Sequence, residues 1–318
     1  MQKVQVIASR YGTFFILILL VMVLGVLSPQ YFLTADNLTQ VVLQSAITIL
    51  IGCGVFFTIL IAGIDLSVGS IMALTGMVTA KLLVSGMPVL PAILVGGILF
   101  GALLGGINGF LVNRTGLHPF IITLGTLSIY RGITLIISDA RPVFGLPQGF
   151  KDGIAGWIWR IPIPVIIALV IALILTFITN KTKLGRNIYA IGGNPQSAWF
   201  SGINIKLHTL IVFIISGVCA GIAGVVMTAR LGAAEPMAGS GYELFAIAAA
   251  IIGGTSFFGG KGHILGVVTG GLIIGVINNG LNILSVPTYY QQIVMGTLII
   301  LSVTLDKLIS SGRRGDMR

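Results

Sequence analysis

This sequence has very little charge. Only 8% of its 318 residues are charged, with 8 acids against 18 lysines and arginines. Soluble domains carry roughly a quarter. A globule with so little charge has nothing to cover its surface in water, so lipid must be the solvent for most of the chain. Cysteine is almost absent. Cys53 and Cys219 both lie inside apolar runs, where small apolar packing is the better reading than a disulfide or a metal site. The histidines, His118, His208 and His263, stand singly and without metal-ligand spacing. No Gly-x-Ser-x-Gly elbow or other catalytic set is present, so no catalytic residue, metal or cofactor is expected. A basic stripe interleaved with aromatics is also missing. The net charge of +10 sits at the ends of apolar runs, where it sets topology, and no nucleic-acid partner is expected.

What the chain has is apolar sequence. It is 56% hydrophobic, with a mean hydropathy of +1.07. The runs are long and continuous, unlike the alternating ten-residue strands of a membrane barrel. Helices are therefore expected to span. Candidate spans are 11–28, 38–62, 66–85, 88–112, 118–138, 162–180, 207–229, 242–258, 264–285 and 289–306. Lys3 and Arg10 precede the first run. No small-x-small cleavage site follows it, so an uncleaved first span is expected rather than a signal peptide.

The longest polar interruption runs from Lys181 to Lys206 and holds Lys181, Lys183, Arg186 and Lys206 without an acid. Positive charge beside spans stays in the cytoplasm. Ten crossings from a cytoplasmic N-terminus put Arg114, this segment, Lys261 and the tail cations Lys307, Arg313, Arg314 and Arg318 inside. The loop 139–161, with Trp157 and Trp159, then falls outside. Nine crossings would misplace either the central segment or the tail.

Three short matches recur in order at one spacing. Gly101–Asn108 (GALLGGIN) resembles Gly271–Asn278 (GLIIGVIN), 170 residues on. Val68–Ser70 matches Ala238–Ser240 at the same offset, and Leu124–Leu127 matches Met295–Leu298 one residue further. The offset spans five crossings, an odd number, so the halves 38–138 and 207–306 would be inverted repeats. Glycines four apart (Gly97, Gly101, Gly105, Gly109; Gly266, Gly270) allow close helix packing.

Chemistry has few places to live. Asp65 and Ser67 sit in a polar break and are read as structural caps of the next helix, with a transport role for the carboxylate as the alternative; Glu243 is treated likewise. Uncharged Gln44, Asn108, Asn278, Asn279 and Asn282 are candidates for a solute path, with interhelical hydrogen bonding as the alternative. Arg131 is the clearest deep charge, and no acid is an obvious partner for it. The stretch Gly254–Gly262 (GTSFFGGKG) resembles a phosphate loop. It has five residues where four are needed, and glycine follows the lysine where serine or threonine should. The chain thus has no recognisable ATP site.

Gly63–Ser70 (GIDLSVGS), Leu184–Asn194 (LGRNIYAIGGN), Ser201–Ile203, Ala238–Glu243 (AGSGYE), Gly253–Gly262 and Asn278–Asn282 together resemble the membrane permease subunit of bacterial ribose-type ABC sugar importers, nearest the ribose and allose branch. The resemblance covers nearly the whole chain. Phe245 departs from it, standing where relatives often carry an acid.

The resemblance implies one all-α polytopic permease domain over residues 1–318, in the bacterial inner membrane. It implies a homodimer with a cytoplasmic ABC ATPase subunit, a periplasmic sugar-binding protein and a monosaccharide substrate. It also implies a short ATPase-coupling helix in 181–206, assigned to Gly192, Gly193, Asn194, Ala198, Ser201 and Gly202. Gly192 and Gly193 would permit a tight turn, and Asn194 would cap the helix. A standalone secondary carrier or channel is the rival from another class. A membrane-embedded enzyme is a third, disfavoured by the missing catalytic set.

Overall fold

The computed structural model describes residues 2–315 and, of their side chains, those of residues 12–304, 306 and 307. The side chains of Lys3, Arg10, Arg313 and Arg314, and all of Arg318, lie outside the described residues.

The chain is nearly all helix. In order it forms α1 (Gln2–Leu27), α2 (Ala35–Leu60), α3 (Val68–Val84), α4 (Val89–Ala92), α5 (Phe100–Thr115), α6 (Pro119–Ser138), α7 (Gln148–Ala155), α8 (Ile163–Lys181), α9 (Lys183–Gly193), α10 (Pro195–Phe200), α11 (Ile205–Leu231), α12 (Tyr242–Ile252), α13 (Ile264–Ile283) and α14 (Thr288–Gly315). A π-helical stretch, Ile93–Leu99, joins α4 to α5. A small hairpin of β1 (Trp157–Ile158) and β2 (Ile161–Pro162) precedes α8.

Local chemistry sets the ends. Thr34 caps α2 by accepting the Asn37 N–H at 3.3 Å. Pro119 opens α6 at a position where its missing N–H costs nothing. Among the described residues, six helices are long and apolar enough to cross a membrane: Ala35–Leu60, Val89–Thr115, Pro119–Ser138, Ile163–Lys181, Ile205–Leu231 and Ile264–Ile283.

Burial sorts these helices. The second half of α2 is buried on every side, and α11 and α13 are largely buried. They form the centre. α2 packs on α11, α12 and α13, while α11 packs on α2, α3 and α5. α6 and α8 lie outside with apolar side chains such as Ile136, Leu173 and Phe177 exposed. Exposed apolar faces this extensive are stable only against lipid or another protein surface.

Two expected spans differ in form. The run 242–258 contains only the eleven-residue α12, about 16 Å long at 1.5 Å per residue. It cannot cross a hydrocarbon layer of about 30 Å. Irregular chain flanks it, with positive φ at Gly239, Gly241 and Gly254. The seventeen-residue α3 reaches about 25 Å. The loop 139–161 is likewise more ordered than a loop, holding α7 and the hairpin.

Candidate functional site

The break between α2 and α3 builds a buried polar junction. α2 ends with Ala62 at φ +58° and the Gly63 N–H returned to the Thr58 carbonyl. The chain then turns Asp65 inward. One Asp65 carboxylate oxygen accepts the Ser67 N–H at 3.0 Å and the Ser67 hydroxyl at 2.6 Å. The other accepts the Ser216 hydroxyl of α11 at 2.7 Å. Asn108 of α5 donates to Ser67 Oγ at 2.8 Å. Tyr130 of α6 lies 3.1 Å from Asn108 Oδ1 and 3.0 Å from the Leu104 carbonyl, its one proton shared between them. None of these five side chains is more than 3% exposed.

Among the described residues no cation bonds Asp65. Three donors and the positive N-terminal end of α3 satisfy it instead. The expected capping therefore takes another form. Ser67 occupies the N-cap position of α3 but makes no capping bond with its side chain, because its hydroxyl is committed to Asp65 and Asn108. Asp65 holds the N-cap residue itself. Asp65→Ala should strand the Ser67 N–H and two hydroxyls, each orphan costing about 1–3 kcal/mol. Ser216→Ala removes one donor for about 1 kcal/mol. Thermal unfolding in detergent should show the Asp65 variant melting well below the Ser216 variant. Equal midpoints would mean that the junction contributes little.

Arg131 has partners the sequence did not reveal. Its Nη1 donates to the carbonyls of Pro236 at 2.6 Å and Ala238 at 2.9 Å, and the field of Glu243 reaches it. Arg131 thus holds the irregular segment 232–241 directly, while its neighbour Tyr130 reaches the segment 61–67 through Asn108. Gly69, in the first turn of α3, and Gly239, within the second segment, lie backbone against backbone. Phe245, in place of the acid, stacks edge-on to Tyr242 at 5.5 Å.

The five solute-path candidates separate. Asn108 belongs to the junction. Asn279 and Asn37 exchange amide hydrogen bonds at 2.7 and 3.0 Å. Asn282 accepts from Gln291 at 2.8 Å. Gln44 and Asn278 are half-buried, and neither side chain has a hydrogen bond among the described residues.

The polar segment 181–206 forms two helices at the end of the molecule that also bears Arg114, Lys261 and Lys307. α9 is amphipathic: Gly185, Ile188 and Ile191 face inward, while Lys183 and Arg186 are exposed. His208 Nδ1 lies 2.7 Å from the Asn204 carbonyl, which leaves its Nε2 to accept from Asn187 Nδ2 at 3.0 Å and moors α9 to α11. Gly192 and Gly193 make no tight turn. They close α9, and Gly192 is required by proximity, since any Cβ there would overlap the Leu60 carbonyl. A Cβ at Gly193 would meet nothing.

The chain turns at Asn194, which is extended and caps α10 by accepting the Ser197 N–H at 3.0 Å. Ala198 is buried beneath α10. Ser201, exposed, bonds back to the Ser197 carbonyl at 2.9 Å. Gly202 leaves the helix at φ +80°, a conformation side chains disfavour. α10 presents Trp199 and Phe200, 63% and 79% exposed and stacked edge-on at 5.0 Å. Sequence reasoning passed over this pair. Its signal was two adjacent aromatics inside the one polar stretch.

Residues 37–303 match the family described as branched-chain amino acid transport system / permease component, and the chain belongs to that family. It is 65% identical over 302 residues to the D-allose transport system permease protein AlsC of Escherichia coli K12, covering 95% of this chain and 93% of that protein. It is 40% identical over 309 residues to the ribose import permease protein RbsC of Haemophilus influenzae, covering 94% and 93%. The galactose/methyl galactoside import permease protein MglC of Escherichia coli K12 is 37% identical over 317 residues, covering 94% of each chain. No solved structure matches. The resemblance read from the motifs is thereby borne out.

Proposed function

We propose that this chain is the transmembrane permease subunit of an ATP-driven importer that moves an allose- or ribose-like monosaccharide into the cytoplasm by alternating access. The observation that carries the ATP-driven part is α10: a rigid, capped helix holding two bare aromatic rings at the basic end of the molecule, the form a docking knob takes. The sugar follows from the relatives, whose names are those of permeases for allose, ribose and galactose. Those names favour the importer over a standalone carrier. The satisfied state of Asp65 fits a neutral solute. The N-terminal end of α3, an attractive site for an anion, is already filled by the chain's own carboxylate.

Ten crossings are supported by where the ends meet. Leu24 of α1 lies against Gly280 near the end of α13, while Asn37 opens α2 beside Asn279. Arg114, the segment 181–206, Lys261 and Lys307 collect at the opposite end, which the positive-inside rule places in the cytoplasm with both termini. The half-length α12 and its irregular flanks complete one crossing together. The inverted repeat is supported by exchanged partners: α2 packs on α13 as α11 packs on α5, and α3 packs on α6 as α12 packs on α14.

The partners are a cytoplasmic ABC ATPase, a periplasmic sugar-binding protein and a second copy of this permease in the inner membrane. Gln44 and Asn278, the half-buried amides without a bond, are the candidates to line the sugar's route. Solubilising the protein from its native membrane tests the reading. A P-loop ATPase should co-purify, and vesicles holding the complex should take up D-allose or D-ribose only with ATP and the binding protein. Uptake that persists without ATP and stops when ion gradients collapse would overturn it.

A further inference from the structure

The glycine-rich segment Gly253–Gly262 has no role in the reading above. It joins α12 to α13 at the basic end and is gripped from three sides. From α9, the Tyr189 hydroxyl donates to the Gly262 carbonyl at 2.7 Å. From the end of α2, the Leu60 carbonyl accepts the Gly260 N–H at 2.9 Å, and the backbones of Gly192 and Gly193 press on Gly260. From α14, one Asp306 oxygen accepts both the Ser256 hydroxyl and the Phe257 N–H, each at 3.0 Å. The segment closes on itself through the Ser256 N–H and the Lys261 carbonyl at 3.0 Å. Burial pushes the Tyr189 phenol above its ordinary range, so its proton stays in place as the donor to Gly262.

We propose that Gly253–Gly262 is the link that carries a displacement of α9 and α10 into α12, α13 and α14, with Tyr189 and Asp306 as its positioning residues. The proposal rests on the reading that α10 receives the ATPase. The connectivity supplies the argument. α9 packs on α2, α8 and α11. α2 in turn packs on α12 and α13; the segment adds a direct route, since it continues into α12 and α13 and is fastened to α14 by a charge-assisted pair of bonds. The segment passes a push on α9 to α12, α13 and α14 together only while both side-chain grips hold. Without the Tyr189 bond, α9 slips over Gly262; without Asp306, the segment moves and α14 stays behind.

The test uses the permease with its co-purified ATPase in vesicles, the binding protein and tritiated D-allose. ATP hydrolysis and sugar moved per ATP are measured together. Tyr189→Phe and Asp306→Ala should keep the ATPase bound and hydrolysing, while sugar moved per ATP falls roughly five-fold in Tyr189→Phe, the weight of about one net hydrogen bond, and further in Asp306→Ala, which loses a charge-assisted pair. Asp306→Asn keeps a carbonyl acceptor and should restore most of the yield.

An unchanged yield per ATP in Tyr189→Phe and Asp306→Ala would overturn the link. So would parallel losses of bound ATPase, hydrolysis and uptake, the pattern of a merely structural role. The docking reading fails separately. If a Trp199→Ala/Phe200→Ala double variant still retains the ATPase, the docking reading falls and the link with it. If that variant loses the ATPase while Tyr189→Phe stays coupled, only the link falls.

Discussion

Leucine at Gly105 or at Gly217 should leave almost no folded protein. These two glycines sit in the α5–α11 seam, where the helix backbones touch directly. A Cβ at Gly105 would overlap the Phe213 carbonyl, and one at Gly217 would overlap the Gly101 carbonyl. One turn along, a Cβ at Gly221 would overlap the Gly97 carbonyl. The neighbour in each case is main chain, so no rotamer change relieves the clash. The helices must separate, and the dispersion contacts along the seam weaken with distance. Overpacking of this kind reaches about 3 kcal/mol or more, a large share of the roughly 5–15 kcal/mol that holds most folds. Gly125→Leu is the control. It lies on α6 with open space at its Cβ, and its variant should fold. Expression, size-exclusion profile and thermal midpoint in detergent measure the contrast. A monodisperse Gly105→Leu protein melting with the native chain would refute the backbone-contact account.

The α5 side of the seam was readable in advance because its signal is compositional, glycines four apart in an apolar run; that α11 would meet it at Gly217 and Gly221 was not. Six of the expected spans were readable for the same reason, since among the described residues six helices are long and apolar enough to cross. The polar junction was only half readable. Asp65, Ser67 and Asn108 announce themselves as polar residues in apolar surroundings. Ser216 and Tyr130 do not, since serine and tyrosine in a membrane helix can bond to their own backbone or face a headgroup. Only the fold brings residues 65, 67, 108, 130 and 216 together.

Arg131 shows a different limit. A search for its partner among acids finds no bond, because it bonds to carbonyls freed by an irregular segment, and a sequence does not say which carbonyls are free. The length of α12 was misjudged because hydropathy counts apolar residues without asking whether the backbone stays helical. The glycines at 239, 241, 253 and 254 were the available warning.

Replacing Trp199 and Phe200 together with alanine should detach the proposed ATPase without disturbing the permease. Both rings are exposed, so their removal deletes little that the fold buries. α10 keeps its Asn194 cap, its buried Ala198 and its exit at Gly202. Aromatic anchors at an interface commonly contribute about 2–4 kcal/mol each. Losing two should weaken the complex at least a hundred-fold, since each 1.4 kcal/mol is about a factor of ten. Gly193→Trp approaches the same surface from the opposite direction. The space above Gly193 is empty in the isolated chain, so the indole harms nothing until a partner arrives and then blocks it.

Both variants should reach the membrane in normal amounts, melt like the native protein and take up no sugar. Gly192→Val, one residue away, should instead fail to fold properly, because its side chain would drive into the Leu60 carbonyl. Co-purification with the ATPase separates the cases. If the Trp199/Phe200 and Gly193 variants retain it at native strength, α10 is not the docking element. If they lose it while Gly192→Val loses the fold, adjacent glycines have divided the work, one holding the helix to the membrane core and the other leaving room for the partner.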